Sequence, residues 1–312
     1  MNAEARASAR LRAGLLRGHE ITHLKSPEPL IDDILDLDSS AVLFGPSGGG
    51  KSLIALDWGL HVASGRSWWG RKTAHGPVLY VVAEGARGTK FRYEAWCEYH
   101  DVPEVADIHW LTVPANLLIS SDRDALFSIV AEIMPTFTVL DTLARHMPGG
   151  HENSFDTMSV IVESLDSIKR ITGGTAAGVH HAGKNEDMGA RGHSSLKGAL
   201  DAELSLRTKR IDKVMHVEVY AEKFKDREDH RVLSAARMEK VAGSLVPVLE
   251  DGLPLRSTDR QALACLNGQY TSFTDWMRVS GLARSTFARA QTRLKELDLI
   301  EGDSTHGWRL KP

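Results

Sequence analysis

This 312-residue sequence has few cysteines and no long apolar run, and both shortages exclude whole classes of protein. No window approaches about 18 consecutive apolar residues, so we expect no membrane-spanning helix. The N-terminus mixes arginine with glutamate and lacks the apolar centre of a secretory signal. Cys97 and Cys265 lie far apart and outside any metal-ligand spacing, which argues against a disulfide framework and indicates a reducing, cytosolic compartment.

A strong excess of charge is also missing. The formal net charge is −3, so a nucleic-acid partner would have to bind at a local site. Hydrophobic residues make up 42% and charged residues 25%, which is typical of an ordinary globular protein. No internal repeat or low-complexity tract is present, and the length suits one large domain with one small one.

The chain divides into four segments by composition. An N-terminal arm is expected at 1–37, an α/β core at 38–250, a Gly/Pro-containing linker at 251–258 and a small module at 259–312. The arm has a helical stretch that the prolines of "SPEPL" interrupt. This segment is interpreted either as a solvated leader or as an arm that packs on a neighbouring subunit, and we favour the leader.

The segment 38–250 alternates short apolar runs with helical patterns. We predict strands at 41–44, 77–84, 107–113, 137–141 and 175–181, with helices at 51–63, 86–99, 122–134 and 154–171. Such alternation predicts right-handed βαβ units and a mostly parallel sheet. Three later runs, "DAELSLRT", "VMHVEVYAEKF" and "HRVLSAARME", are expected to extend that sheet as antiparallel strands.

A phosphate-binding loop follows the first strand. The stretch "GPSGGGKS" lies between an apolar run and a helical pattern, which is the order that a P-loop requires and an ordinary Gly-rich turn does not. Glycines let backbone N–H groups surround phosphate oxygens, the lysine reaches the β and γ phosphates, and the serine hydroxyl is a Mg²⁺ ligand. The expected nucleotide-binding residues are Gly45, Pro46, Ser47, Gly48, Gly49, Gly50, Lys51, Ser52 and Leu53.

Two carboxylates end strands of this sheet. Asp141 ends "FTVLD" and is the expected Walker B residue that holds Mg²⁺ with Ser52, and we expect Thr142 to support it. Glu84 ends "VLYVVAE", and a carboxylate at a parallel strand's carboxyl end points into the ligand crevice. We expect Glu84 to orient and deprotonate the attacking water; the alternative is a solvated strand-end residue.

A pair of histidines ends "TAAGVHH". Adjacent residues on a strand point to opposite faces, so His180 and His181 cannot easily share one metal ion. One of them is expected to sense the γ-phosphate, and we choose His181. The other would pack or bond the backbone.

Together these residues resemble the RecA-like ATPase core of hexameric replicative helicases, and most closely the plasmid RepA-type helicases and related phage or plasmid ATPases. The resemblance spans roughly 28–240 and depends on the P-loop, Glu84, "LDTLARH" and "VHHAGK". It implies ATP with Mg²⁺, Glu84 as base, His181 as sensor, and a homo-oligomeric ring, expected to be a hexamer, in which a neighbour completes each site.

The resemblance also implies residues that act outside the chain's own nucleotide site. A finger would come from "AEKFKDRED", which supplies Lys223, Lys225 and Arg227; the alternative is a charged hairpin tip that serves solubility. The Gly-rich loop 182–199 would contact single-stranded DNA through Lys184, Arg191 and Lys197. That loop lacks aromatic residues that could stack on bases, so its binding to DNA would not depend on the DNA sequence. The alternative is an ordinary surface loop.

The C-terminal module reads as a winged helix-turn-helix. Helices are expected at 259–267, 272–280 and 284–297, with Thr271 or Ser272 capping the second helix, Gly281 in the turn and a wing at 300–310. From Pro254 onward the chain is net basic, and the expected contacts to duplex DNA are Arg284, Arg289 and Arg293. The alternative is that the wing of this module binds another protein and not DNA.

Three functions follow. The first is a DNA-dependent oligomeric motor, helicase-like, in plasmid or phage replication. The second is a nucleotide-switched DNA-binding regulator or loader without unwinding activity. The third is a small-molecule P-loop kinase, which ranks last because the late strands and the C-terminal module supply neither a substrate pocket nor a lid.

Overall fold

The structure is a computed structural model. It describes residues 14–24, 26–181, 198–250, 257–266, 269–296, 299–303 and 306–311, together with residues 5, 8, 9, 11 and 12. The expected DNA-contacting residues Lys184, Arg191 and Lys197 lie outside this part of the chain. Among the residues that are described, no helix is long and apolar enough to cross a membrane.

The core begins with alternating strands and helices. A short antiparallel hairpin comes first, formed by β1 (Pro29–Ile31) and β2 (Leu35–Asp36). The alternating elements are β3 (Ser39–Gly45), α1 (Lys51–Ser64), β4 (Val78–Val82), α2 (Ala86–His100), β5 (Ile108–Leu111), α3 (Ser120–Ile133), β6 (Phe137–Asp141), α4 (Phe155–Thr172) and β7 (Thr175–His181). The antiparallel strands follow as β8 (Ala202–Ile211), β9 (Val214–Phe224), β10 (Arg231–Val241) and β11 (Ser244–Leu249).

These strands form one mixed sheet. Within the described residues it has nine strands in the order β11-β10-β9-β8-β3-β7-β6-β4-β5, and the five from β3 to β5 are parallel. Strand β8 also runs parallel to β3, and β9 to β11 continue antiparallel. The predicted α/β core with a mostly parallel central sheet is therefore confirmed.

The central strands are buried on both faces. Every residue of β3 and β6 is buried, because helices α1 and α2 cover one face of the sheet and α3 and α4 cover the other. Helix α4 shows why such a segment folds locally. The Ser154 hydroxyl accepts a hydrogen bond from the Thr157 amide at its start, and Gly173 in the left-handed region ends it.

Two elements were not predicted. Strand β11 escaped notice because Pro247 interrupts its apolar pattern, but Pro is tolerated there since β11 is the edge strand of the sheet. The β1–β2 hairpin lies inside the expected arm. Its side chains Leu30, Ile31 and Leu35 are fully buried in the core, so the core begins before residue 37.

A buried carboxylate joins α1 to α2. The two oxygens of Asp57 accept hydrogen bonds from the indole nitrogens of Trp68 at 2.7 Å and Trp96 at 2.8 Å. His61, one helical turn further on, lies 3.3 Å from the same carboxylate. Asp57 is 1% exposed, and a buried carboxylate is tolerated only with such partners. The cluster therefore fixes the helix that follows the P-loop.

The C-terminal segment has its own small core. It comprises α5 (Ser257–Leu263), α6 (Phe273–Ser280), α7 (Arg284–Glu296) and the hairpin β12 (Ile300–Asp303) to β13 (Gly307–Leu310). Trp276, Phe287 and Leu294 are fully buried there. As expected, Ser272 caps α6 and Gly281, with φ of 66°, ends it.

Asp201 ties four elements together at the amino edge of β3. One of its oxygens accepts from the Ser40 amide at 2.9 Å and from Lys169 at 2.8 Å, and the other accepts from Lys225 at 2.7 Å. Burial raises the pKa of Asp201, but the hydrogen bonds from the two lysines outweigh it and hold the pKa well below the usual carboxyl range.

Replacing Asp201 with Asn should lower the free energy of unfolding by roughly 2 kcal/mol at neutral pH, because a neutral amide cannot pair with both ammonium groups. The folded-state pKa is depressed, so this stabilisation is present above the unfolded pKa and is lost as the pH falls through the folded value. Urea unfolding at neutral and acid pH measures it. The exposed Asp226, changed to Asn, is the control; an equal loss there, or a loss independent of pH, would contradict the assignment.

Candidate nucleotide-binding site

The P-loop lies between the end of β3 and the start of α1. Gly48 and Gly50 have φ of 69° and 93°, in the left-handed region that favours glycine. A Cβ atom on Gly49 would come within 2.9 Å of the Pro46 carbonyl oxygen. Because α1 begins at Lys51, its unpaired N–H groups and its positive end face the loop. The loop is therefore shaped for an anionic phosphate chain.

Lys51 lies folded against its own loop. Its ammonium donates to the carbonyl oxygens of Gly45 at 3.0 Å and Pro46 at 2.8 Å, and the residue is 5% exposed. Burial lowers the pKa of Lys51. Phosphate oxygens are better acceptors than carbonyls for a charged donor, so this ammonium is ready to move onto a bound phosphate.

Asp141 meets the P-loop helix at the carboxyl ends of the strands. Its Oδ1 accepts from the Ser52 hydroxyl at 3.0 Å, and its Oδ2 accepts from the Tyr80 hydroxyl at 2.8 Å. Burial raises the pKa of Asp141, although the hydrogen bonds from Tyr80 and Ser52 oppose that shift. Two adjacent hard oxygen donors suit Mg²⁺, and Ser52 and Asp141 are the residues that would hold it.

Glu84 lies just past the end of β4, beside the site. Thr142 donates to its Oε1 at 2.9 Å, and Arg145 lies 3.4 Å from its Oε2. The hydrogen bond from Thr142 is the main reason that the pKa of Glu84 is lowered, and the lowered pKa favours the anionic form, which is the form that a general base needs. Thr142 thus holds Glu84, whereas we had expected it to support Asp141.

The two histidines at the end of β7 diverge as expected from strand geometry. His180 is fully buried, and the Nδ1 atom of His181 lies 3.5 Å from the Lys51 ammonium. The charge of His181 also contributes to lowering the pKa of Glu84. The structure therefore brings Lys51, Ser52, Glu84, Asp141 and His181 together at one edge of the sheet.

The three residues that are expected to form the finger lie at the opposite end of the strands from the P-loop. Phe224, beside them, pairs with Ala202, and Ala202 pairs with Ala41 near the start of β3, whereas the P-loop follows the end of β3. Lys225 binds Asp201, and Arg227 donates to the Ile34 carbonyl oxygen at 3.0 Å.

Lys223 belongs to the same edge. It donates to the Leu200 carbonyl oxygen at 3.1 Å and to the Gly198 carbonyl oxygen at 3.3 Å. The strand register separates all three cations from their own P-loop by the length of β3, so they do not reach the nucleotide site of their own chain.

The expected DNA-contacting residues of α7 separate into two groups. Arg284 and Arg289 are exposed. Arg293 instead donates from its Nε atom to Asp259 of α5 at 3.1 and 3.0 Å, and that carboxylate is only 2% exposed. Arg293 therefore has a structural role within the module, and we correct its assignment as a DNA contact.

Sequence reasoning missed three residues of this site. Thr208 on β8 donates to the Gly49 carbonyl oxygen at 3.0 Å and supports the P-loop from a neighbouring strand. Arg145 contacts Glu84, and Tyr80 contacts Asp141. Only Tyr80 left a signal: a tyrosine inside a fully buried strand needs a partner for its hydroxyl.

This fold and site define a P-loop nucleotide-binding protein with an α/β core. The chain matches the model of the AAA domain family over residues 5–187, more than half of its length, and it belongs to that family of P-loop ATPases. Such ATPases generally bind ATP with Mg²⁺. No curated protein matches the chain.

Among solved structures, the chain is similar to a KaiC-like protein from the hyperthermophilic archaeon Pyrococcus horikoshii. The two sequences are 16% identical, and the TM-score is 0.48. The match covers 72% of this chain and 98% of that protein.

Changing Lys51 to Ala should abolish nucleotide binding, because no other residue offers a charged donor within the loop. Titration with a fluorescent ATP analogue measures the effect. Lys90 on α2 is the control: it is exposed and forms a surface ion pair with Glu94 at 3.6 Å, so its change to Ala should leave binding unaltered. Unchanged binding in the Lys51 variant would refute the site.

Proposed function

We propose that this protein is an ATP-hydrolysing, DNA-binding oligomeric motor of the replicative-helicase type, acting in plasmid or phage replication. One observation carries the proposal: Lys51, Ser52, Glu84, Asp141 and His181, the residue types that ATP hydrolysis needs, meet at one edge of the sheet, while a cluster of cations lies at the other edge, out of reach of its own site. The resemblance of the core to hexameric replicative helicases supports the replication setting.

Hydrolysis would use the residues of the P-loop edge. Lys51 would move from the loop carbonyls to the β and γ phosphates, and the loop amides would bind the remaining oxygens. Mg²⁺, held by Ser52 and through water by Asp141, would neutralise the charge that develops on the phosphates. Glu84 would orient the attacking water and accept its proton, and His181 beside Lys51 would sense the γ-phosphate.

The cations at the far edge favour assembly. Lys223, Lys225 and Arg227 would act on the nucleotide of a neighbouring subunit, where a positive charge stabilises the transition state. Each site is then completed only in an oligomer, and we propose a hexameric ring. In the isolated chain these side chains are held by Asp201, Asp36 and backbone carbonyls, which they would leave on assembly.

Two regions would bind DNA. The loop 182–199, with Lys184, Arg191 and Lys197, would follow the phosphates of single-stranded DNA. The C-terminal module would act as a winged helix that binds duplex DNA with α7. Its three helices followed by a hairpin support that assignment, as do the exposed side chains of Arg284 and Arg289.

Changing Glu84 to Gln should preserve ATP binding and reduce hydrolysis at least a hundredfold, because the amide can position water but cannot accept its proton. Binding of a fluorescent analogue and release of phosphate are measured on the same preparation. Glu94 to Gln, on the exposed face of α2, is the control. Lost binding, or normal hydrolysis, would refute Glu84 as the base.

Mixing two inactive variants tests whether a neighbouring subunit completes each ATPase site. Glu84→Gln subunits keep the cations, and Arg227→Ala subunits keep the base. If the cations act on a neighbour, mixed oligomers contain interfaces with both groups intact and hydrolysis returns. Parallel mixtures use Lys223→Ala and Lys225→Ala. No recovery with any of the three would contradict the proposed arrangement.

Single-stranded DNA separates the motor from the nucleotide-switched regulator. A translocating motor should hydrolyse ATP several-fold faster with single-stranded DNA, because each step along the strand is coupled to turnover. Steady-state hydrolysis with and without a homopolymeric strand measures it. Turnover that DNA leaves unchanged would favour the regulator or loader.

A further inference from the structure

Tyr80 is a polar side chain buried in the middle of strand β4, which lies between β6 and β5. It is 1% exposed. Its hydroxyl donates to Oδ2 of Asp141 at 2.8 Å and lies 3.4 Å from the Ser52 carbonyl oxygen. Tyr80 thus contacts both of the residues that would hold Mg²⁺, although it cannot itself reach solvent.

The ring of Tyr80 is held on two sides. It packs against Trp110 of β5 with ring centroids 5.7 Å apart, and Trp110 in turn packs against Tyr93 of α2 at 5.8 Å. On the other side, a Cβ atom on Gly59 of α1 would lie 3.7 Å from the Tyr80 ring. The close approach of α1 leaves the hydroxyl little freedom, so its position is set by the core.

The two oxygens of Asp141 therefore have separate partners. Oδ2 is occupied by the Tyr80 hydroxyl, and Oδ1 faces the Ser52 hydroxyl at 3.0 Å. Hydrogen bonds to a charged acceptor in a buried site are strong and directional. Without the phenol, Oδ2 would be a buried, unsatisfied acceptor, and the carboxylate would be free to rotate.

We propose that Tyr80 is a positioning residue for Mg²⁺–nucleotide: it holds the Asp141 carboxylate so that Oδ1 stays directed at Ser52. This inference rests on the proposed function of the same site. The alternative is that Asp141 merely satisfies the hydroxyl of a core tyrosine. The two interpretations predict different results when only the Tyr80 hydroxyl is removed: the Mg²⁺ dependence of nucleotide binding changes in the first and stays the same in the second.

The test compares Tyr80→Phe with Tyr93→Phe. Both changes remove one phenolic hydroxyl from a ring that packs on Trp110, but the Tyr93 hydroxyl bonds the Val105 amide at 2.9 Å and not Asp141. Affinity for a fluorescent ATP analogue is measured across Mg²⁺ concentrations and with the metal chelated. In Tyr80→Phe the Mg²⁺ concentration for half-saturation should rise about tenfold, with affinity in chelator unchanged. Tyr93→Phe should match wild type.

A double-mutant cycle shows whether Tyr80 acts through Asp141. In an Asp141→Asn background, Tyr80→Phe should cause no further change in Mg²⁺ half-saturation, because the carboxylate that it positions is gone. A full tenfold effect in that background would overturn the proposal, as would wild-type Mg²⁺ dependence in the single variant. If wild type itself binds nucleotide without any response to Mg²⁺, the proposed function fails instead.

A variant that keeps the hydroxyl covers the case in which Tyr80→Phe does not fold. Incorporating 3,5-difluorotyrosine at position 80 retains the hydroxyl and makes it a stronger donor. Its Mg²⁺ half-saturation should lie at or below the wild-type value, because the stronger hydrogen bond holds the Asp141 carboxylate at least as firmly. A value well above wild type would contradict the positioning role.

Discussion

The structure depends on one constraint: parallel strands of a single sheet bring their carboxyl ends to the same edge. Strands β3, β4, β6 and β7 are neighbours in that sheet and run in the same direction. Residues that are distant in sequence, from Lys51 to His181, therefore meet around the start of one helix. The burial of β3 and β6 on both faces makes this arrangement rigid.

The opposite edge of the sheet is organised differently. There the cations Lys223, Lys225 and Arg227 pair with carboxylates and carbonyl oxygens of their own chain, and Asp201 is the common partner of two lysines. Asp201 also lies two residues after the end of the loop 182–199, which is proposed to bind DNA. Under the proposed function, movement of Lys225 to a neighbour's nucleotide would release a contact at the base of that loop.

Most of the fold could be predicted from the sequence because its signals are local. The P-loop spacing, the apolar runs that end in Glu84, Asp141 and His181, and the cap at Ser272 each depend on a few adjacent residues. Contacts between distant residues could not be predicted in the same way. Whether Thr142 bonds Asp141 or Glu84 depends on the path of the chain after β6, which no spacing reveals.

The other differences between the predicted and the observed contacts result from burial. Arg293 has the sequence position of a groove-facing arginine, but α7 packs on α5, and the buried Asp259 takes its guanidinium. Tyr80 looked like part of an apolar strand because only the fold reveals that its hydroxyl meets Asp141. The role of a charged group or hydroxyl near a packed surface depends on the group that it contacts. Because that contacting group lies elsewhere in the sequence, a local pattern does not reveal the role.

The central claim is that a neighbouring subunit completes the ATPase site. The most direct measurement is the specific rate of ATP hydrolysis as a function of protein concentration, with particle size followed by light scattering on the same samples. The account predicts that the rate per subunit rises together with assembly and reaches a plateau when the oligomer is complete. A fully active monomer, with a rate per subunit independent of concentration, would contradict it.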